Sequence, residues 1–355
     1  MLNNTVYKLK KDKSLRVAYF GGSITEGAGS SDPSKTCYRA MTTKYFKEKF
    51  PESEITEINA AIGGTGTSLG MFRVNRDVLE YNPDLIFVEF ATNDFGDTEE
   101  NVIPQTESII RRIRKTLPDC DIVFLFSTAL MVKEELDAGG KFESKLAQKK
   151  VTDYYGILSI DFGEYLLDYV YNKMGKVYED YAPDTLHPGD NGYVVITDYI
   201  TGILDPILEA ESPEALTAHT LPEKLSPISS DKGDIIYAAD ISGLTLDGVE
   251  LKREQYDRFP SYLSADKGNV EFTFTFEGSG FGFYRAPGDA GADFIINIDG
   301  GEDVLNLSWD REVRSFHRMR NAVVTKSLED KLHTVRVRIV GEGEFPTRIG
   351  GIFVC

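Results

Sequence analysis

The sequence predicts an α/β fold with a five-stranded parallel sheet, followed by a separate all-β sandwich. Three observations carry this expectation. Short apolar runs alternate with longer amphipathic stretches from residue 15 to about 205, the pattern of strands joined by crossover helices. A polar, proline-bearing stretch without periodicity follows at 211–230. Beyond it the texture changes to short β-rich segments separated by glycine-containing turns.

Taken in order, the strands read as Leu15 to Phe20, Ile55 to Asn59, Asp84 to Phe90, Asp121 to Ser127 and Ile157 to Ile160. Helices are expected at about 36–50, 67–81, 99–116, 142–155, 163–174 and 190–208, with Pro51, Pro83 and Pro118 at helix ends, where proline stops or follows a helix. Right-handed crossovers place helices on both faces of such a sheet and gather functional loops at the carboxyl ends of the strands. The expected organisation is a catalytic domain at 1–210, a linker at 211–230 and a β-sandwich at 231–355. In the last, Glu271-Phe272-Thr273-Phe274-Thr275-Phe276 alternates with period two, so one face is buried and the other solvated.

At 355 residues and 41% hydrophobic content, the chain exceeds the size at which one core usually stops growing. Its apolar runs fall far short of the roughly 20 residues a membrane-spanning helix needs. Met1 to Arg16 is charged, but the apolar run behind it, Val17 to Phe20, is too short for a signal peptide. The chain therefore reads as cytoplasmic, although a secreted chain with its leader removed would read the same. Cys37, Cys120 and Cys355 are odd in number and widely spaced, which suggests neither a disulfide framework nor a zinc site. A formal net charge of -18 argues against nucleic acid and anionic membranes as partners.

The first strand runs into Gly21-Gly22-Ser23-Ile24-Thr25-Glu26-Gly27, which puts a hydroxyl at its carboxyl edge between glycines. Gly27-Ala28-Gly29-Ser30-Ser31-Asp32 lacks the third glycine of a dinucleotide fingerprint, and no phosphate-loop lysine follows. Late in the domain stands Asp184-Thr185-Leu186-His187-Pro188, and His187 is the only histidine in the first 218 residues. A serine hydroxyl needs a base poised near neutrality, and the imidazole needs an acceptor that fixes its tautomer. Ser23, His187 and Asp184 supply these three groups. Donors for a developing oxyanion are offered by Asn59-Ala60-Ala61-Ile62-Gly63-Gly64-Thr65-Gly66 after strand two, and by Asn93 in Ala91-Thr92-Asn93-Asp94 after strand three.

These ordered segments resemble the SGNH (GDSL-like) hydrolases over about residues 15–208. The resemblance implies a three-layer α/β/α, flavodoxin-like domain with Ser23 as nucleophile and first oxyanion donor. It implies Gly64 as the second donor, with Gly63 or Gly66 as alternatives, Asn93 as the third, and Asp184 and His187 as the remaining triad members. Two positions depart from the family pattern. Gly22 replaces the usual aspartate before the serine, and Ala91 replaces the glycine two residues before the asparagine. The Gly-Gly-Ser-Ile-Thr form resembles carbohydrate-acting members, and the C-terminal texture resembles the jelly-roll modules attached to such esterases.

The expected activity is a serine esterase that removes small acyl groups, acetyl above all, from a carbohydrate, without metal or organic cofactor. A lysophospholipase- or thioesterase-type acyl hydrolase and a non-catalytic carbohydrate-binding protein are the alternatives. Arg73, Phe95 and Glu26 are candidate pocket residues, with Phe283, Tyr284 and Trp309 as candidate sugar contacts in the β-region.

Overall fold

In the computed structural model, residues 2–256, 259–286, 293–306, 320–325, 328–341 and 346–355 are described. The chain divides into two compact units, Met1–Asp231 and Lys232–Cys355.

In chain order the first unit runs α1 (Asn3–Tyr7), β1 (Ser14–Gly21), α2 (Ser23–Glu26), α3 (Tyr38–Lys49), β2 (Glu54–Asn59), α4 (Thr67–Asp77) and β3 (Leu85–Glu89). It continues through α5 (Glu99–Thr116), β4 (Asp121–Leu125), α6 (Leu130–Asp137), α7 (Glu143–Tyr154), β5 (Leu158–Ile160), α8 (Phe162–Asp168) and α9 (Asp190–Glu209). The strands form one parallel sheet in the order β2-β1-β3-β4-β5. Both faces of the central strands are covered: Val17 to Phe20, Leu85 to Val88 and Val123 to Leu125 are all fully buried. That explains why these strands read as continuous apolar runs and not as alternating ones. Residues of α1, α3, α8 and α9 build one core layer with Val17, Tyr19, Leu85, Phe87 and Val123. On the opposite side, Arg73 of α4 lies over the Phe20 ring.

Strand order reverses beside β1, since the chain moves to β2 on one side and to β3 on the other. In open α/β sheets this switch point leaves a crevice at the carboxyl ends of the strands. Ser23 follows β1 after one residue, Gly22, and Asn93 follows β3, so both fall at that crevice.

Three helices went unread in the sequence, α1, α2 and α6. The five strands and the six expected helices are all present, with ends shifted by a few residues; the expected helix at 67–81 is split into α4 and a short turn at Leu79–Tyr81. The stretch 211–230, read as a linker, contains no helix or strand and is bound along the first unit. Thr217 N–H donates to Asn4 Oδ1 at 2.9 Å, and Asn4 Nδ2 returns a bond to Thr217 O at 2.8 Å. His219 Nε2 meets the buried Asp121 carboxylate at 2.8 Å. Arg114 and Arg111 donate to the Thr220 and Pro222 carbonyls, and Glu107 accepts Leu225 and Ser226 N–H at 2.6 and 2.8 Å. Such charge-assisted bonds to main-chain groups hold an irregular segment that has no ladder of its own.

The second unit comprises β6 (Asp234–Tyr237), β7 (Thr245–Asp247), β8 (Glu250–Lys252), β9 (Tyr262–Ala265), β10 (Val270–Gly278), β11 (Phe281–Ala286), β12 (Asp293–Ile298), β13 (Val304–Asn306), β14 (Arg320–Thr325), β15 (Lys331–Val340) and β16 (Thr347–Val354). One antiparallel sheet has the order β13-β12-β15-β10-β7; the other has β14-β11-β16-β9-β8, with β6 also on β16. Phe272, Phe274 and Phe276 of β10 point into a shared core with Phe281, Phe283, Phe294 and Ile352, as the period-two pattern predicted. Phe283 is fully buried and Tyr284 is 2% exposed. Neither is a surface contact for sugar: alternation and strand pairing take both rings into packed environments. Trp309 lies outside the described residues. Among the described residues, no helix is long and apolar enough to cross a membrane.

Candidate active site

At the end of β1 the chain leaves the sheet through Gly22, whose N–H donates to Glu89 O at 3.3 Å. It then makes the single helical turn of α2, which presents Ser23. The turn rests on a buried polar floor. Glu89, at the end of β3, is fully buried and accepts the Thr25 hydroxyl at 2.8 Å and the Ser127 hydroxyl at 2.5 Å. Thr25 Oγ1 also pairs with Tyr38 OH at 2.7 Å. Burial raises the Glu89 carboxyl above its ordinary range, while the two hydroxyls act to lower it.

The second contributor is the loop before α9. Asp184 Oδ1 accepts the N–H groups of Leu186 and His187 at 3.0 and 2.6 Å, and Oδ2 meets His187 Nδ1 at 2.6 Å. This places the Nδ1 proton toward the carboxylate and leaves Nε2 as acceptor. His187 Nε2 lies 2.8 Å from Ser23 Oγ. Thr185, between Asp184 and His187, has φ 68, a left-handed conformation that is strained for a β-branched residue. Two bonds hold it, Thr185 N–H to Ala182 O at 2.8 Å and Leu130 N–H to Thr185 O at 2.9 Å. Burial pushes the Asp184 carboxyl up, but the bonds from His187 and Leu186 prevail and keep it below the usual carboxylate range.

Helix α9 ties this loop to the serine segment. Tyr193, fully buried, places its hydroxyl 2.7 Å from Ala28 O and 3.0 Å from Ile24 O. Asp190 accepts the Ser31 N–H at 2.8 Å, the Ser31 hydroxyl at 2.5 Å and the Thr36 hydroxyl at 2.8 Å.

The third contributor is a set of uncommitted donors. The Asn93 side chain lies against Gly22, immediately before Ser23, where a Cβ would meet its Oδ1 at 1.8 Å. In the loop after β2, Ala61 N–H goes to Asn59 Oδ1, Ile62 N–H to Gly21 O, Gly63 N–H to Glu26 Oε2, Thr65 N–H to Ile62 O and Thr67 N–H to Asp94 Oδ1. Among the described residues, the N–H groups of Ser23 and Gly64 and the Asn93 amide take part in no such bond. Gly64 is exposed with φ +74, and nothing lies within 4 Å of where its Cβ would stand. Gly63 is the glycine packed against Ser23, its Cβ position 3.5 Å from Ser23 Cβ, yet its N–H is already taken.

The pocket candidates fare differently. Arg73 is not a pocket residue: it is 1% exposed, donates to the Ala60, Gly21 and Thr65 oxygens at 2.5, 2.9 and 3.2 Å, and packs on the Phe20 and Phe90 rings. It fastens the ends of β1 and β2 from beneath. Glu26 is half-buried and engages the glycine loop. Phe95, also half-buried, packs edge-to-face on Phe142 with centroids 5.8 Å apart. Sequence reasoning missed Tyr193 and Asp190, which carry no motif, and Glu89, whose signal was a lone carboxylate in an apolar strand. Of the other histidines, His333 is 2% exposed between Asp299 and Glu329 O, and His317 lies outside the described residues. Among the described residues, no group of three His, Cys, Asp or Glu is placed to hold a metal ion.

The sequence pattern described as GDSL-like Lipase/Acylhydrolase family matches residues 19–195. No curated protein matches the chain. Among solved structures, a two-domain esterase (CEX) active on acetylated mannans aligns over 100% of this chain and 95% of its own, with TM-score 0.85 and 22% identity. The same kind of esterase co-crystallized with mannopentaose aligns over 98% and 94%, with TM-score 0.82 and 23% identity. These likenesses cover both units of the fold.

Proposed function

From the premise that this chain belongs, through residues 19–195, to the GDSL-like lipase/acylhydrolase family, we propose that it is a serine esterase removing acetyl groups from a mannan-type oligosaccharide. One observation carries the catalytic part: Ser23 Oγ, His187 Nε2, His187 Nδ1 and Asp184 Oδ2 form an unbroken chain at 2.8 and 2.6 Å.

In this reading Ser23 Oγ attacks the ester carbonyl as His187 Nε2 takes its proton. Asp184 holds the imidazole in the required tautomer and stabilises the imidazolium. The oxyanion of the tetrahedral intermediate is received by Ser23 N–H, Gly64 N–H and the Asn93 amide, preorganised donors with no competing partner among the described residues. Collapse breaks the bond to the sugar oxygen, which His187 protonates, and leaves an acetyl-serine. Water, deprotonated by His187, then attacks that ester and releases acetate and the free serine.

The choice of substrate rests on the two-unit architecture that this chain shares with the mannan-active esterase. The test is acetate release from acetylated manno-oligosaccharides, run beside p-nitrophenyl esters of increasing chain length. Rates that climb steeply with acyl length would favour a lipid-directed hydrolase, and failure of a fluorophosphonate to label Ser23 in the folded protein would exclude the serine mechanism.

A further inference from the structure

Two carboxylates stand behind these residues and have no part in the proton transfers. Glu26 closes the helical turn that Ser23 opens, and its Oε2 accepts the Gly63 N–H at 3.0 Å. Asp94 adjoins Asn93 and is 4% exposed. Its Oδ1 accepts the Thr67 N–H at 2.9 Å, while Oδ2 lies 2.8 Å from the Thr67 hydroxyl and accepts the Gln148 amide at 2.7 Å. Gly63 and Thr67 bracket Gly64, so the loop hangs between one carboxylate on the nucleophile's turn and another beside Asn93.

This placement matters because three donors from three different strand ends must converge on one oxygen. Errors of about half an ångström degrade such a constellation, and a flexible glycine loop is the element least able to hold its own position. A carboxylate-to-amide bond such as that from Glu26 is roughly twice as strong as a neutral one, and Asp94 holds its end through three partners, two on Thr67 and one on Gln148. Each tether therefore refers the loop to one of the two elements with which its free N–H has to agree.

We infer that Glu26 and Asp94 are positioning residues, which suspend the 63–67 loop between the Ser23 turn and Asn93 and thereby aim the Gly64 N–H at the oxyanion. The inference rests on the reading of Ser23 as nucleophile and Gly64 as donor.

The experiment compares Glu26→Ala, Glu26→Gln, Asp94→Asn and Ser23→Ala in the full chain, with p-nitrophenyl acetate and a fluorophosphonate as probes. Glu26→Ala is expected to lower kcat about tenfold or more with KM nearly unchanged, the signature of an interaction made only in the transition state, and to slow phosphonylation of Ser23 by a similar factor. Glu26→Gln, which keeps an acceptor for Gly63, is expected to recover most of both rates, and Asp94→Asn to show a milder loss of the same kind. Should Asp94→Asn fail to fold, the Glu26 pair decides alone. A folded Glu26→Ala enzyme with unchanged kcat overturns the inference, as does a rise in KM matching the loss, which would make Glu26 a substrate contact, or a Gln variant no better than Ala. Full activity in Ser23→Ala would instead strike the underlying reading, so the two failures are distinct.

Discussion

The Asn93 amide fills the space that a side chain on Gly22 would occupy, since a Cβ there would lie 1.8 Å from Asn93 Oδ1 and 2.7 Å from Asn93 Cγ. The family pattern has aspartate at this position; here only hydrogen leaves room for the amide beside Ser23. The obstruction is the far end of a side chain with no other hydrogen bond among the described residues, so Gly22→Ala is expected to fold and to push Asn93 aside. Removing one oxyanion donor costs roughly 10²- to 10³-fold in kcat. We expect Gly22→Ala to lose about 10²-fold in kcat with little change in thermal midpoint, and to match Asn93→Ala in steady-state assays. A fully active Gly22→Ala enzyme would remove Asn93 from the oxyanion site.

Asp184 does two jobs with one carboxylate, since Oδ1 shapes the loop through the Leu186 and His187 N–H groups and Oδ2 holds the imidazole. An Asp184→Asn side chain can keep Oδ1 and hence the loop, but it offers N–H₂ to Nδ1. The imidazole proton then moves to Nε2, where Ser23 needs an acceptor. The expected loss is roughly 10³-fold in kcat with the fold retained. The held-down carboxyl of Asp184 also gives a sign for stability. Its contribution is present above the unfolded value of about 3.9 and fades as pH falls through the lower, folded value. The acid limb of a pH–stability profile should therefore flatten in Asp184→Asn relative to the parent, and an unchanged limb would refute it.

The parallel sheet was legible because strands buried on both faces must be apolar throughout, and Leu85 to Val88 and Val123 to Leu125 leave no other reading. The contact chain from Ser23 to His187 to Asp184 was legible because chemistry restricts residue type, and a lone histidine after the fifth strand has few partners. Arg73 was misread for the opposite reason. A helix turning out of a glycine loop offers one face to the crevice and another to the core, and only the Phe20 and Phe90 rings beneath decide between them. The segment after residue 210 looked free because its anchors are mostly main-chain groups at Thr217, Thr220, Pro222, Leu225 and Ser226, which leave no mark on side-chain identity. Helix α1 was hidden by its length, since its 5 residues hold one buried apolar side chain, Val6, too little for a period to show.

Tyr193 joins the helix behind His187 to the segment behind Ser23, and the 2.8 Å contact between His187 Nε2 and Ser23 Oγ is expected to depend on it. Tyr193→Phe keeps the ring and its packing but leaves the Ala28 and Ile24 carbonyls without that hydroxyl. An unmet buried acceptor costs about 1–3 kcal/mol. We expect a lowered thermal midpoint together with a several-fold fall in kcat, measurable on p-nitrophenyl acetate below the transition. Loss of stability with kcat intact would show that the base–nucleophile geometry is set elsewhere.

Asp94 offers a test in which the sign of the pH effect is opposite to that of Asp184. Burial pushes its carboxyl up to about 7 from 3.8, against the pull of bonds from Thr67 and Gln148. Between those values the folded protein keeps a proton that the unfolded chain releases, so stability declines as pH rises through the window. The full span is on the order of 4 kcal/mol as an upper bound. Asp94→Asn cannot titrate, and the reversed donor it brings can be met by rotating the Gln148 amide, whose Oε1 has no partner among the described residues. The stability of Asp94→Asn relative to the parent should therefore grow from pH 5 to about 7 and level off above it. Urea unfolding followed by helical circular dichroism reads the first unit, which holds helices α1 to α9. A difference independent of pH would mean that Asp94 is ionised throughout the range and that its three donors, not its burial, govern its charge.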